Sequence, residues 1–244
     1  MTGGQPGTLY GIGLGPGDPE LMTVKGRRLL ERVSTVFVPM SETSEASVAQ
    51  AIVRDLLRPE QAVVPLLFAM RRPLAERESA WRASCDRIAL ALADGADAAF
   101  VTEGDPLTYS TYAHLAKTLR ETHPEVTMVV VPGVTSFAAA AAVTGAPLVD
   151  ERERMVVIPG PYERASLETA LREFDSLVLM KVSSGLDVVI EALNATGRAA
   201  DAVFIERCGW SDERVIGDVS TLRGQRVDYF SLILVRHRQT NGHG

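Results

Sequence analysis

The stretch YGIGLGPGD, Tyr10 to Asp18, places four glycines and one proline in nine residues. Glycine at this density marks backbone that turns sharply or lies close against another group. A dinucleotide loop of the G-x-G-x-x-G kind does not fit. Counted from Gly11, the third glycine falls on Pro16, and counted from Gly13 it falls on Asp18. The G-x-x-x-x-G-K-[ST] phosphate loop is absent as well. Taken alone, the stretch reads either as a tight strand-to-helix turn or as one wall of a ligand site.

The flanking sequence decides what kind of fold carries this loop. Thr8 to Gly13 reads as a strand, and Thr23 as the cap of a helix through Arg32 with Leu29, Leu30 and Val33 on one face. A strand from Thr35 to Val38, stopped by Pro39, a helix from Val48 to Leu57 and a strand from Val63 to Phe68 follow. A long amphipathic helix runs from Leu74 to Ala93 and ends at Gly95. Ala98 to Thr102 is a buried strand, Ser110 to Arg120 a helix, and Val126 to Val131 a strand ended by Pro132-Gly133. Strands alternating with helices imply a parallel sheet covered on both faces, with ligands beyond the carboxyl ends of its strands. Three loops leave those ends: GLGPGD, EGDP (Glu103 to Pro106) and PGVTS (Pro132 to Ser136).

The second half differs. An alanine-dense helix, Ser136 to Val143, precedes a strand at Met155 to Ile158, a helix near Leu167 to Phe174, a strand at Leu177 to Val182, a helix from Leu186 to Ala195 and a strand at Ala202 to Ile205. Strands at Val215 to Val219 and Tyr229 to Val235 follow without a long crossover, which implies antiparallel pairing. The expectation is two α/β domains, 1–132 with a mainly parallel sheet and 133–244 with a mixed one.

Composition narrows the classes. The 244 residues are 46% hydrophobic and 23% charged, as in soluble globular chains. No apolar run approaches the roughly 20 residues of a membrane span. The head MTGGQPGT lacks the charged and apolar regions of a secretory signal, and the only cysteines, Cys85 and Cys208, lie far apart, so a cytoplasmic chain with unpaired thiols is expected. A net charge of -6 argues against a nucleic-acid partner. No Cys and His cluster has metal-ligand spacing, and His114, His123, His237 and His243 form no constellation.

Five stretches in order carry a family resemblance: YGIGLGPGDPELMTVKG (Tyr10 to Gly26), TEGDPLTYST (Thr102 to Thr111), VPGVTSFAAAAA (Val131 to Ala142), VLMKV (Val178 to Val182) and IERCGW (Ile205 to Trp210). With them the chain resembles the tetrapyrrole (corrin and siroheme pathway) methyltransferases from Leu9 to Val235. The forms of the first three stretches are most similar to the members that methylate C20 of precorrin-2. The resemblance implies two α/β domains with a cofactor cleft between them, a homodimer, and S-adenosylmethionine as the methyl donor, leaving S-adenosylhomocysteine. It implies methylation of precorrin-2 to precorrin-3A in cobalamin biosynthesis. Cobalt-loaded factor II and uroporphyrinogen III are the alternative substrates, and a non-catalytic nucleotide-binding protein is the alternative of another class.

Carried over position by position, the resemblance assigns cofactor contacts to Pro16 in the first loop, and to Glu103, Gly104, Asp105 and Thr108 in the second. Many relatives have glycine in place of Glu103. Thr135 and Ser136 match the pair that receives the amino-acid end of the cofactor, and Met180 an apolar residue against the adenine. Cys208 stands where relatives often carry glycine, with Gly209 beside it. Methyl transfer from a sulfonium needs in-line geometry rather than a protein nucleophile, so no catalytic residue is named. Asp105 has a second reading as a helix cap, Asp18 reads as a helix-entry residue before Pro19, and Met180 reads by default as core. Arg71, Arg72, Arg77, Arg152 and Arg154 are candidates for the carboxylates of the substrate, against a reading as solvated charges.

Overall fold

The structure, a computed structural model, describes residues 5–41, 47–68 and 73–236. Arg71, Arg72, His237 and His243 lie outside the described residues. The chain divides into two compact units, Met1–Thr135 and Ser136–Gly244.

The first unit is built on β1 (Thr8–Gly13), β2 (Thr35–Met40), β3 (Ala62–Leu67), β4 (Ala98–Thr102) and β5 (Thr127–Val131), with helices α1 (Val24–Arg32), α2 (Val48–Val53), α3 (Leu74–Leu92) and α4 (Thr111–Thr122). The strands are all parallel, in the order β3-β2-β4-β1-β5. Apolar residues three and four apart make the inner faces of α3 (Trp81, Cys85, Ile88, Leu92) and α4 (Tyr112, Leu115, Leu119), which pack on Leu9, Phe37 and Phe100 of the sheet. Full burial of each such side chain stabilises the fold by roughly 1.5–3 kcal/mol. The Thr23 hydroxyl caps α1, accepting from the Gly26 N–H at 3.1 Å.

Pro39 does not stop β2, contrary to expectation. The Met40 carbonyl accepts from Phe68 on the β3 side. Strand alternation therefore turns the Pro39 nitrogen to the other side, where pairing with β4 has already ended at Phe37. The strand continues because no donor is needed there.

The second unit comprises α5 (Ser136–Thr144), β6 (Met155–Pro159), α6 (Arg164–Glu173), β7 (Ser176–Met180), α7 (Leu186–Thr196), β8 (Ala202–Glu206), β9 (Arg214–Ile216) and β10 (Ser231–Arg236). Its sheet has the order β6-β7-β10-β8-β9, with β6 and β7 parallel and the other pairs antiparallel. Leu177, Leu179, Phe204 and Ile233 form its core with Leu186, Val189, Ile190 and Leu193 of α7. The ninth strand ends at Ile216 rather than Val219, because Asp218 caps a 3-10 turn from Val219 to Leu222 by accepting from Ser220. Arg198, 6% exposed, anchors the end of α6: its guanidinium donates to the carbonyls of Leu171, Phe174 and Asp175 and pairs with Asp201 at 2.7 Å.

Candidate functional site

In the first sheet β1 and β4 are neighbours, yet the chain leaves β1 toward β2 and leaves β4 toward β5 on the opposite side. The crossovers part at this point, which is where open parallel sheets bind ligands. Alternate residues of β1 serve the two covering layers. Gly26 of α1 lies against Ile12, and the ring of Tyr112 in α4 fills the space below Gly11, where a Cβ would come within 2.3 Å.

The GLGPGD and EGDP loops leave this switch point together and are knitted to each other and to the loop after β5. Gly15 and Gly104 exchange backbone hydrogen bonds of 3.3 and 2.7 Å, and Leu14 donates to the Thr102 carbonyl at 2.9 Å. Gly15 and Gly104 have φ of 80° and 63°, a region that favours glycine. Gly133 packs so closely that a Cβ on it would lie 2.0 Å from the Gly104 carbonyl oxygen and 2.9 Å from Gly13 Cα. A Cβ on Gly104 itself would meet nothing within 4 Å, so this glycine presents open backbone at the switch point.

Asp105 organises the loops and does not cap α4, whose cap is the Ser110 hydroxyl. One Asp105 oxygen accepts from the Leu107 N–H at 2.9 Å and the Thr108 hydroxyl at 3.1 Å, and the other from the Gly133 N–H at 3.1 Å. Thr108 is thereby oriented within its loop. Pro16 is buried, and Thr135 and Ser136 are half-buried at the start of α5. Asp18 accepts from the Glu20 N–H at 2.8 Å and caps the turn before α1. Glu103, half-buried directly after β4, has its carboxyl pushed above the usual carboxylate range by burial, with backbone donors of Ala49 and of Glu103 itself pulling the other way. Leu107 and Tyr109 leave apolar surface at the loop tip, 62% and 48% exposed.

In the second unit, Met180 is the half-buried last residue of β7. Its carbonyl accepts from the Gly160 N–H at 3.0 Å and from the Tyr162 hydroxyl. Tyr162 was not singled out from sequence; a tyrosine directly after a Gly-Pro turn at a strand end is the signal available for it. Lys181, expected within a strand from Leu177 to Val182, lies just past the end of β7: it adopts φ 57° and places its ammonium 5.5 Å from the Tyr229 ring centroid. Cys208 is 6% exposed, with its thiol pushed up to about 12 by burial and then by Glu213. Gly209, at φ 80°, donates to Glu213 at 2.8 Å. The start of β10 joins these strand ends, since Lys181 donates to Ser231 and Arg207 to Phe230. Met180 and the Cys208-Gly209 pair thus lie at one end of the second sheet.

Arg77 lies 5.3 Å over the Trp81 ring, which stacks on His114, and Arg154 lies 5.4 Å over Phe174. Arg152 lines a 370 Å³ pocket with Asp150, Glu151, Glu153 and Asp175. That pocket sits at the amino ends of β6 and β7, opposite Met180, and its carboxylates disfavour an anionic ligand. His123 bridges Asp86 and Glu125 at 2.9 and 3.3 Å. Among the described residues no group of His, Cys, Asp and Glu is placed to hold a metal ion, and no helix is long and apolar enough to cross a membrane.

Residues 8–223 match the family of tetrapyrrole (corrin/porphyrin) methylases. The chain is 32% identical to a precorrin-2 C(20)-methyltransferase of a Sinorhizobium species, over 96% of this chain and 97% of that one. It is 34% identical to a cobalt-precorrin-2 C(20)-methyltransferase of Salmonella typhimurium, over 94% and 96%. A crystal structure of a uroporphyrin-III C-methyltransferase from Thermus thermophilus, complexed with S-adenosylhomocysteine, shares the fold with a TM-score of 0.67 at 21% identity, over 95% and 98%.

Proposed function

This chain belongs to the tetrapyrrole (corrin/porphyrin) methylases, and on that premise we propose that it transfers the methyl group of S-adenosylmethionine to C20 of precorrin-2, giving precorrin-3A on the route to cobalamin. The observation that carries this reading is the interlocked set of strand-end loops at the switch point of the first sheet, joined to near full-length similarity with C20-methylating relatives.

The residues present fit the donor. Across Gly11–Asp18, Glu103–Ser110 and Pro132–Ser136 there are three carboxylates, Asp18, Glu103 and Asp105, and no lysine or arginine. Such loops lack the countercharge for a pyrophosphate and suit a cationic sulfonium. Close approach of a ligand at Gly104 is supported by the open space on its Cα side, where a Cβ would meet nothing within 4 Å. The proposed cofactor contacts are Pro16, Glu103, Gly104, Asp105, Thr108 and Thr135 in the first unit, and Ser136, Met180, Cys208 and Gly209 in the second. The backbone of most of these, rather than a charged side chain, does the holding, and Met180 offers an apolar surface to the adenine.

When bound, S-adenosylmethionine supplies an electrophilic methyl carbon. The chain's part is to hold the donor, align the bridge carbon of the tetrapyrrole with it and exclude water. Asp105 keeps the second and third loops in one arrangement, so little reorganisation is needed on binding. The exposed apolar tip at Leu107 and Tyr109 suits the flat face of a macrocycle. The proposal includes a homodimer and a cytoplasmic location, the latter in keeping with free and buried cysteines.

Purified protein incubated with precorrin-2 and labelled donor should place one methyl at C20, read by mass spectrometry and NMR. Labelling at another carbon, or none, sinks the reading. The Salmonella relative motivates a second reading with cobalt-loaded substrate, and comparing rates on metal-free and cobalt-containing substrate decides between them.

A further inference from the structure

Strands β6, β7 and β8 of the second sheet end on the same side, where β10 begins. Two cations follow these ends directly, Lys181 after β7 and Arg207 after β8, and both hold left-handed backbone, at φ 57° and 51°. Residues other than glycine rarely hold that conformation unless their surroundings fix it, and such residues gather at functional sites. The surroundings do fix Lys181. Its N–H donates to the Ser231 carbonyl at 2.9 Å, and its carbonyl accepts from the Ser184 N–H at 3.3 Å and the Ser184 hydroxyl at 3.1 Å. The preceding carbonyl, of Met180, takes the Gly160 N–H and the Tyr162 hydroxyl. Glycine would adopt this backbone without strain, so the turn by itself does not call for a lysine.

The cations at this end differ in what neutralises them. Arg207 pairs with Asp212 at 2.7 Å and with Asp228 at 3.7 Å, and Arg214 of β9 pairs with Glu206 at 3.1 Å. The carboxylates are engaged in turn by backbone: Asp228 accepts from the Phe230 N–H, Glu206 from the Asp228 N–H and Glu213 from the Gly209 N–H. Among the described residues no carboxylate lies within 4 Å of the Lys181 ammonium and no acceptor takes its hydrogens. Its contact is the Tyr229 ring, 5.5 Å from ammonium to centroid. That ring is 55% exposed and meets Phe230 edge to face. A half-buried ammonium over a ring that solvent reaches keeps its three donors for a ligand.

We propose that the Lys181 ammonium binds a carboxylate of the tetrapyrrole substrate, with the exposed Tyr229 ring against the macrocycle beside it; the proposal rests on the C20 reading given above. A reduced tetrapyrrole is a flat body with several acid side chains. Lys181 and Tyr229 together offer one uncompensated positive charge and one flat apolar surface. The ion pair would be reinforced by charge-assisted hydrogen bonds. Because the backbone of Lys181 is already fixed, binding orders only its side chain.

The test uses the full chain, comparing wild type with Lys181→Asn, Lys181→Gly and Lys181→Arg. Asparagine and glycine remove the charge and tolerate the left-handed turn; arginine keeps the charge. Precorrin-2 is titrated with S-adenosylhomocysteine filling the donor site. Its affinity should fall by about tenfold or more in Lys181→Asn and Lys181→Gly, and KM should rise in step. Their kcat, S-adenosylhomocysteine affinity by calorimetry and melting temperature should stay close to wild type. Lys181→Arg should keep substrate affinity within about threefold. Added salt should weaken substrate binding more steeply in wild type than in Lys181→Asn. Substrate affinity within about threefold of wild type in both uncharged variants overturns the proposal. So does an equal loss in Lys181→Arg, which would make the turn rather than the charge the cause. A matching loss of S-adenosylhomocysteine affinity overturns it as well, since the lysine would then serve the donor. A wild type that neither binds nor methylates precorrin-2 or its cobalt form overturns the C20 reading and this proposal together, whereas an active wild type with unchanged variants overturns only the role of Lys181.

Discussion

Asp105 holds Gly133: the Gly133 N–H donates to Asp105 Oδ2 at 3.1 Å across 28 residues of sequence. The other oxygen of the same carboxylate orders its own loop through Leu107 and Thr108. One side chain thus sets the relative position of the loops after β4 and β5. Replacing it with alanine leaves three donors without this acceptor. Asp105→Ala should cost about 1–3 kcal/mol of stability and weaken S-adenosylhomocysteine binding by about tenfold or more, with Asp105→Asn intermediate. Urea unfolding and calorimetry check both effects, and unchanged binding in Asp105→Ala would show that the link between the loops does not bear on the site.

The close approach of Gly133 to Gly104 predicts a steep penalty for a single methyl group. A Cβ at Gly133 lies 2.0 Å from a backbone oxygen, which cannot rotate away as a side chain would. Gly133→Ala should destabilise the chain by about 3 kcal/mol or more. Gly217→Ala, where a Cβ meets nothing and φ is not positive, should stay within about 0.5 kcal/mol. Equal effects at the two positions in denaturant melts would refute the interlock.

Arg198 makes a different demand, because it is a buried cation whose donors finish the end of a helix. Its side chain is 7% exposed and that of its partner Asp201 16%. Arg198→Met removes the guanidinium that donates to Asp201 and to the carbonyls of Leu171, Phe174 and Asp175, and should cost about 3–5 kcal/mol. Lysine keeps the charge but not the planar fork, so Arg198→Lys should recover only part of the loss. A small change in Arg198→Met on urea unfolding would contradict this account.

Cys85 and Cys208 should be inert in the native protein. Burial pushes both thiols up to about 12. At neutral pH the reactive thiolate is then on the order of 10⁻⁵ of the total. The same shift has a stability consequence. The folded chain binds these protons more tightly than the unfolded chain, so stability is lost as pH rises above the unfolded value of about 8.5. Alkylation followed by mass spectrometry at pH 7.5 should label neither cysteine until denaturant is added. Rapid native labelling of Cys208 would instead assign it a reactive role.

Much of the architecture was legible from residue order. Apolar strands alternating with amphipathic helices marked the parallel sheet, and consecutive strands without a crossover marked the mixed one, because side-chain periodicity is a local property. Strand limits that depended on a neighbour were not legible. Pro39 stays in β2 only because the pairing with β4 stops at Phe37 while that with β3 runs on to Met40, and Lys181 leaves the line of β7 only because of its left-handed backbone.

The glycines of YGIGLGPGD, read against the two phosphate-loop patterns, were enough to exclude those loops and to mark a strand-end turn, since a missing glycine at Pro16 or Asp18 is a fact of spacing alone. What that turn touches was decided by the tertiary structure. Gly15 meets Gly104, Gly104 meets Gly133, and Asp105 closes the set, through contacts that span up to about 90 residues. A hydrogen-bond partner at that separation leaves no periodic trace in the chain.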